Sequence, residues 1–311
     1  MKRWCALRFD FRAMASPCSI QMDGQDEHTM RQAATEAIGE VQRIEHKYSR
    51  YREDSIVSRI NQSSTTGGQV AVDGETTELL GFAHALWLMS DGLFDITSGV
   101  LRQAWDFRAA RLPEPAELQS TLEKVGWNKV ERSGSTVRLT QPGMELDFGG
   151  FGKEYAADRA AAVLHRHGIA HALVNLGGDL HALGARALPE LQDTAWQIEI
   201  QHPRPDTAIK KKSSLAVLAL QQGGLATSGD YERFFIQNGK RYCHVLNPHT
   251  GWPVTHWQSV SVLAANTTTA GALTTIAMLK QTDALDWLST QGVRYLAVQH
   301  DGQVHSSSQS L

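Results

Sequence analysis

The stretch that decides the fold reads Leu146-Asp147-Phe148-Gly149-Gly150-Phe151-Gly152-Lys153-Glu154-Tyr155-Ala156-Ala157-Asp158. Apolar alternation gives way to three closely spaced glycines and then to an alanine-rich helical pattern. The stretch therefore predicts a strand at 144–148 and a helix from about 152 to 167. Backbone N–H groups at a helix start, beside a lysine, favour a phosphate site; simple packing of a strand–helix turn is the alternative. The spacing matches neither the Walker A loop nor GxGxxG.

Periodicity outside that stretch predicts helices at 26–48, 75–90, 115–125, 268–280 and 282–290. Strands are predicted mainly after residue 168, at 170–176, 180–185, 195–201, 214–220, 233–237, 241–246 and 258–264. These strands do not alternate regularly with helices, which argues against a doubly wound parallel sheet. We predict an α+β fold of layered mixed sheets with flanking helices. Residues 1–311 should form a single unit of two intertwined lobes without a clean boundary.

Composition and charge narrow the classes of function. The 311 residues are 41% hydrophobic and carry a formal net charge of −3, so no global field attracts nucleic acid. The basic run at 210–212 is interpreted as a solvated segment. Three cysteines without CxxC spacing predict neither disulfides nor a zinc site, and they fit a reducing compartment. The sequence shows no apolar span, signal peptide or lipobox, so we expect a cytoplasmic location and no membrane span.

Four other segments concentrate Gly, Asp, Thr and Tyr. Residues 48–55 end a predicted helix, and Tyr51 either flanks that terminus or stacks on a planar ligand. Residues 90–99 place Asp95 within an apolar run, where it either caps a turn or accepts hydrogen bonds from a ligand. Residues 173–180 end a strand in two glycines and an acid, as a tight turn does. Residues 226–254 combine strong turn chemistry with His244, which is either a packed histidine or a catalyst.

In this order, the segments resemble the FAD:protein FMN transferase family, also called ApbE-like proteins. The family pattern has an N-terminal Met-Gly-Thr, Ser-x-Tyr-x-x-x-Ser, Phe-Asp-x-Thr-x-Gly, Asp-x-Gly-x-x-x-Lys-Gly, Asn-x-Gly-Gly-Asp, Thr-Ser-Gly-x-Tyr, His-x-x-Asp-Pro-x-Thr-Gly and a late Ala-Asp-Ala-x-x-Thr. The present chain follows it from about Met14 to Leu279. So many short motifs in one order do not arise by chance.

The resemblance implies an enzyme that cleaves the pyrophosphate of FAD and transfers FMN to a Thr or Ser hydroxyl of an acceptor flavoprotein. AMP is released, and Mg²⁺ assists. It implies that the FAD site is lined by Met14, Tyr51, Leu93, Phe94, Asp95, Asp147, Lys153, His244 and Val245. It also implies that the Gly150 carbonyl and Thr275 are metal ligands. His244 is our candidate for the base that takes the acceptor proton, and Thr275 is assigned to the catalytic set.

The chain departs from the family pattern at several positions. Gly271 stands where the family has the acidic metal ligand, and Asn247 stands where it has the aspartate of Asp-Pro-x-Thr-Gly. Glu154 replaces the glycine after the lysine, and Ala15-Ser16 replaces Gly-Thr. Because Mg²⁺ is usually held by one or two carboxylates, we expect the loss at 271 to weaken the metal site.

Three functions follow from these observations. The first is flavin transfer with a rebuilt or reduced metal site. The second is a catalytically silent FAD-binding relative, in which Gly271→Asp is expected to switch turnover on. The third is FAD hydrolysis to FMN and AMP, with water in place of the acceptor hydroxyl.

Overall fold

A computed structural model describes residues 3–204 and 214–307 of the chain. The basic run at 210–212 lies outside the described residues, so its interpretation as a solvated segment stays a prediction.

Strands and helices follow one another irregularly along the described residues. The strands are β1 Cys5–Ala13, β2 Ser16–Gly24, β3 Val70–Ala71, β4 Val130–Ser133, β5 Thr136–Leu139, β6 Ala172–Leu176, β7 Asp179–Leu183, β8 Trp196–Gln201, β9 Ser214–Leu220, β10 Gly223–Gly229, β11 Phe234–Gln237, β12 Lys240–Cys243, β13 Trp257–Ala264, β14 Arg294–Gln299 and β15 Val304–Ser306. The α-helices are α1 Glu27–Tyr48, α2 Ile56–Thr66, α3 Gly74–Met89, α4 Pro115–Leu122, α5 Gly152–Arg166, α6 Thr267–Lys280 and α7 Ala284–Thr290. Short 3₁₀ helices lie at Ile96–Gln103, Trp127–Lys129 and Gln281–Asp283.

The central element is an eight-stranded sheet in the order β1-β2-β6-β7-β10-β13-β14-β15. Each neighbouring pair in it is antiparallel. Three smaller sheets accompany it: β3-β5-β4, β8-β9 and β11-β12. Antiparallel pairing lets consecutive strands join by short turns, and this happens between β1 and β2 and between β6 and β7.

Three helices lie side by side on one face of the large sheet. Helix α1 packs on β1 and β2, α5 on β6 and β7, and α6 on β10 and β13, while α5 touches both other helices. The alanines of α5, including Ala156, Ala157 and Ala160, are fully buried and allow this close approach. The β8-β9 hairpin covers part of the other face, where Trp196 packs with Leu173 and Leu180. The N-terminal end of α5 is thereby held between α1 and α6.

The α+β prediction is confirmed, as are the helices predicted at 26–48, 75–90 and 152–167 within one or two residues at each end. The strand predicted at 144–148 is wrong. Its alternation is real, because Met144, Leu146 and Phe148 are buried. However, the backbone of Leu146 bonds to the side chain of Asn61, with N–H to Oδ1 at 2.7 Å and Nδ2 to the carbonyl at 3.0 Å. A side chain thus takes the place of a neighbouring strand. The division into two lobes stays a prediction.

Helix α2, strand β3, strand β10 and the 3₁₀ helix at Ile96–Gln103 are absent from the sequence-based prediction, and α2 and β10 show why. Helix α2 is rich in Ser and Thr and has low helix propensity, but it buries Ile56, Val57 and Ile60, and the Ser55 hydroxyl caps it by accepting from Ser58 N at 2.9 Å. Strand β10 begins with two glycines, which are typical of a turn. It is a central strand, and a Cβ at Gly224 would overlap the backbone of Thr267 at the start of α6.

Candidate active site

Lys153 lies on the first turn of α5 and forms a buried ion pair. Its Nζ is 2.7 Å from Oδ2 of Asp179, a side chain that is only 4% exposed. Although burial by itself lowers it, the charges of Asp179 and Glu154 raise the pKa of Lys153, so the side chain is a cation at neutral pH. The other oxygen of Asp179 accepts from Thr227 N at 3.2 Å. Asp179, at the start of β7, is thus linked to α5 by the ion pair and to the end of β10 by the hydrogen bond.

The Gly177-Gly178 turn brings Asp179 into this position. Both glycines have positive φ, +61° and +100°, as a two-residue turn between antiparallel strands requires. A Cβ at Gly177 would lie 2.8 Å from Ser16 and 3.4 Å from Nζ of Lys153. The segment is therefore both the tight turn that its sequence predicts and a close neighbour of the lysine.

Glu154 follows Lys153 and is buried, with 9% of its surface exposed. Burial and then the charge of Asp179 raise the pKa of Glu154, and its carboxyl lies within hydrogen-bonding reach of that aspartate. None of the described residues donates a hydrogen bond to its Oε2. A Cβ at Gly271 would lie 2.5 Å from Cγ of Glu154 and 3.0 Å from its Oε1. The space beside Gly271 is thus filled by the side chain of Glu154.

Hydroxyl groups of β10 and α6 meet next to Gly271. Ser228 Oγ is 2.8 Å from Thr274 Oγ1 and 3.4 Å from Thr275 Oγ1. Thr274 also donates to the carbonyl of Gly271 at 2.8 Å. Thr275, predicted as a metal ligand and catalytic residue, thus lies in a hydroxyl cluster one turn beyond Gly271.

Arg50 and Asp147 join the segment after α1 to the Gly-rich loop. Arg50 Nη1 is 2.6 Å from Asp147 Oδ2 and donates to the Gly99 carbonyl at 3.2 Å. Asp147 Oδ1 accepts from Gly149 N at 2.9 Å. Tyr51 stands beside this pair with 74% of its surface exposed and its ring 5.1 Å from the Arg50 guanidinium carbon. The Tyr51 ring is therefore exposed to solvent beside the Arg50–Asp147 ion pair.

The residues around Asp95 mainly contact other parts of the protein and stabilise the fold. Asp95 is buried and caps the 3₁₀ helix by accepting from Thr97 N and Oγ1 at 2.8 and 2.6 Å, and from Trp127 N at 2.8 Å. Burial raises its pKa above the usual range. Phe94 is buried against Phe151, and a Cβ at Gly150 would lie 2.9 Å from its ring. Leu93 packs on the core beside β13 and α6. A ligand role for Asp95 stays a prediction.

His244 is exposed, and its geometry fixes its tautomer. Nδ1 is 3.3 Å from the Arg233 carbonyl, which can only accept, so Nδ1 carries the proton and Nε2 keeps a lone pair. The protein atoms around the ring, then the charges of Arg233 and Lys153, lower the pKa of His244, to an extent that solvent exposure limits. The ring is therefore neutral at pH 7. The effect of Lys153 also places His244 near the start of α5.

Asn247 performs the turn chemistry expected of an aspartate. Its Oδ1 accepts from His249 N at 2.8 Å and from Thr250 N at 3.2 Å. An amide oxygen supplies the same acceptor as a carboxylate oxygen, so this departure leaves the turn intact. Val245 lies just before it and accepts from Val254 N at 3.0 Å. The turn lies against the second motif, since a Cβ at Gly92 would be 3.4 Å from His249 Nε2.

Met14 lies in the two-residue turn between β1 and β2. Met14 and Ala15 have φ of 51° and 58°, a conformation that glycine adopts more readily than alanine. The N–H of Met14 donates to Glu45 Oε1 at 2.7 Å, which ties the turn to α1. The next residue, Ser16, touches Gly177, so this turn borders the lysine pair.

Contacts link all the predicted motifs into one continuous set. The connecting pairs are Arg50–Asp147, Gly92–His249, Lys153–Asp179, Asp179–Thr227, Ser16–Gly177, Glu154–Gly271 and Ser228–Thr275. Arg50, Asp179 and Ser228 have no individual role in the sequence-based prediction, although each lies inside a predicted motif. The motifs that contain these three residues could be recognised in the sequence, but the residues that they contact could not.

Other features of the described structure do not form a second candidate site. A cavity of about 670 Å³ borders α1, α2 and α3, but its cations Arg43 and Lys47 are already paired with Glu75. Within residues 3–204 and 214–307, no three His, Cys, Asp or Glu side chains converge as a metal cluster. In the same ranges, the helices are too short or too polar to cross a bilayer. The three cysteines are free thiols.

The fold and the motif cluster together define an α+β protein whose predicted motifs lie in contact with one another around Lys153 and Asp179. Solved structures share this fold over nearly the whole chain. The ApbE protein of Thermotoga maritima is 29% identical with a TM-score of 0.87, covering 98% of this chain and 97% of its own. The flavin transferase ApbE of Vibrio cholerae is 25% identical with a TM-score of 0.85, covering 98% of each chain.

Sequence relatives agree with the structures. A FAD:protein FMN transferase of Treponema pallidum is 33% identical over 78% of this chain and 70% of its own. One of Haemophilus influenzae is 28% identical over 93% of this chain and 84% of its own. The sequence model of the ApbE family matches residues 14–297. The chain belongs to the ApbE family.

Proposed function

We propose that this chain is a flavin transferase that moves FMN from FAD to a Thr or Ser hydroxyl of an acceptor protein and releases AMP. The observation that carries the proposal is the assembly of all the motifs into one connected set around Lys153 and Asp179. Relatives named for this reaction extend over most of the chain. The exposed Tyr51 ring is available to a planar isoalloxazine or adenine ring.

The chain's own groups fit the steps of this reaction. The acceptor oxygen forms a bond to the FMN phosphorus while the bond to the bridging pyrophosphate oxygen breaks, and AMP leaves with that oxygen. We assign the acceptor proton to Nε2 of neutral His244. Lys153 and the N–H groups at the start of α5 stabilise the pyrophosphate charge, which is the main catalytic task in phosphoryl transfer.

A magnesium ion fits the same place. Mg²⁺ needs only one or two carboxylates, because water and substrate phosphates complete its shell, so the lack of a three-residue cluster among the described residues does not argue against it. The Gly150 carbonyl and the Thr275 hydroxyl are our proposed ligands from the sequence, and the buried Oε2 of Glu154, whose side chain lies beside Gly271, is an unused oxygen donor. Bound there, the ion would neutralise the pyrophosphate.

An assay with the purified chain tests the proposal. The chain is incubated with FAD, Mg²⁺ and a panel of candidate acceptor domains. Intact-mass spectrometry then detects an FMN adduct, and chromatography detects AMP. We expect one FMN added per acceptor, with one AMP released for each. FAD binding without AMP would favour the silent relative, and AMP without an acceptor would favour the hydrolase; either result contradicts transfer. A cytoplasmic location stays a prediction.

A further inference from the structure

The strongest unexplained feature of the molecule is a buried carboxyl group with an unused oxygen. Glu154 is nine-tenths buried, and none of the described side chains or backbone groups donates to Oε2. Such a group costs several kcal/mol unless it is paired with a cation or a donor. Asp179 differs from Glu154, because its two oxygens are engaged by Lys153 and by Thr227 N.

The position of Glu154 is fixed by the packing of α5 against α6. Asp158, one turn further along α5, accepts from Thr267 N and Thr268 N, each at 2.8 Å. These two donors are orphan N–H groups at the start of α6, and Gly271 lies one turn further along that helix. The two helices run antiparallel, so the tie at Asp158 sets Glu154 directly against Gly271.

Gly271 lacks a side chain where Glu154 needs room. A Cβ at 271 would lie 2.5 Å from Glu154 Cγ and 2.9 Å from its Cδ. An aspartate on α6 and a glutamate on α5 would therefore compete for one space. The longer glutamate side chain reaches across from α5 and places its carboxylate where a carboxylate from position 271 would project. The glycine at 271 and the glutamate at 154 therefore depend on each other, because the glutamate fits only when position 271 has no side chain.

We propose that Glu154 is the carboxylate ligand of the divalent cation at this site, moved from α6 to α5. The inference rests on the proposed function, since the cation acts on the FAD pyrophosphate. The other oxygen donors that we assign are the Thr275 hydroxyl, in the cluster next to Gly271, and the Gly150 carbonyl, four residues before Glu154 on the chain. The site therefore has the acidic ligand that Gly271 does not supply.

Substitutions at positions 154 and 271 are informative as a set. Gly271→Asp alone is not a restoration, because Glu154 already occupies the space and a third carboxylate would face Asp179. The matched set is Glu154→Gln, Glu154→Gly and the double exchange Glu154→Gly with Gly271→Asp. Asp23→Asn is the control, since Asp23 on β2 is a buried carboxylate that is paired with Arg186 instead.

Mn²⁺ is the probe, titrated into each protein in the presence of FAD without acceptor, and free Mn²⁺ is counted by electron paramagnetic resonance. We expect Glu154→Gln and Glu154→Gly to bind Mn²⁺ at least about tenfold more weakly than the unmodified chain. The double exchange should return to within about threefold, as should Asp23→Asn. FAD binding in EDTA, followed by flavin fluorescence, should persist in all.

Two results would overturn the proposal. Unchanged Mn²⁺ affinity in Glu154→Gln, with normal FAD binding and transfer, would show that Glu154 is only a protonated partner of Asp179, and the proposed function would stand. If Glu154→Gln does not fold, Mn²⁺ affinity in Glu154→Gly equal to that of the unmodified chain leads to the same conclusion. Failure of the unmodified chain to bind FAD would remove the proposed function and the inference together.

Discussion

At the scale of single residues, the departures from the family pattern have different consequences. Asn247 keeps its turn, because an amide oxygen accepts the same two hydrogen bonds. Ala15 keeps a positive φ at a modest energetic cost. The space beside Gly271 is filled by Glu154 from another helix. Whether a substitution is a loss therefore depends on what fills the space around it, not on the substituted residue alone.

His244 gives a prediction on pH. The base is active when the imidazole is neutral, and its surroundings lower its pKa from the usual 6.5. The rate of transfer should therefore hold as pH falls to 6.5 and decline only below it. Single-turnover transfer from pH 5 to 8 measures this. His244→Gln should lower the rate by roughly 10²- to 10⁴-fold and remove the acid limb. An acid limb above pH 6.5, or one kept in His244→Gln, would contradict the assignment.

At the scale of elements, the wrong and missed assignments share a cause. The segment 144–148 alternates like a strand, but its neighbour is the Asn61 side chain of α2. Strand β10 contains glycines that usually end strands, yet they allow α6 to approach the strand backbone. In both cases the deciding partner is distant in sequence. Local periodicity cannot identify such a partner, whereas the long amphipathic pattern of α1 is sufficient by itself.

Helices α1, α3 and α5 meet at Glu75, which gives a prediction on stability. Glu75 accepts from Arg43, Lys47 and Tyr155 at 2.7, 2.6 and 2.9 Å. Glu75→Gln should lower the free energy of unfolding by about 1–3 kcal/mol at pH 7, because Arg43 and Lys47 each lose one of their two carboxylate partners. Urea unfolding measures the change. The exposed Glu78→Gln on the same helix is the control and should stay within about 0.5 kcal/mol.

The difference in the free energy of unfolding between the unmodified chain and Glu75→Gln should depend on pH through the ionisation of Glu75. Arg43, and after it Lys47, hold the pKa of Glu75 below its usual range near 4.5. A carboxyl with a lowered folded-state pKa contributes its full stability above the unfolded-state value, and loses it as pH falls through the folded value. The gap between the unmodified chain and Glu75→Gln should therefore be constant from pH 7 to 5 and shrink below about pH 4. A gap that widens on acidification would contradict the ion pairs.

At the scale of the whole molecule, the cluster of motifs draws on almost the full length of the chain. The turn at Met14 borders Gly177, and the hydroxyls of α6 lie against β10. The site is therefore assembled from segments that are far apart in sequence. A ligand that bridges these parts should stabilise the folded chain as a unit, since it binds the assembled cleft and not the unfolded chain.

Thermal and urea unfolding with FAD test this expectation. With EDTA present to remove divalent cations, FAD at about 100 times its dissociation constant should add roughly 2.7 kcal/mol to the free energy of unfolding. Riboflavin or AMP at the same concentration should add less, because each spans only part of the cleft. An unfolding midpoint that does not move with FAD, or that moves equally with AMP, would contradict a site that holds the whole dinucleotide.

The sequence by itself determined the α+β class, the main helices and the chemistry of the motifs, because these depend on local periodicity and on residue type. It also placed Lys153, His244 and Thr275 in one expected site through their order along the chain. Only the tertiary structure decided which groups face one another. It paired Lys153 with Asp179, used Asp95 as a cap, and set Glu154 in the space beside Gly271. The reason is physical: the position of a carboxylate depends on the helix that carries it and on how that helix packs, and neither can be read from a position in the sequence.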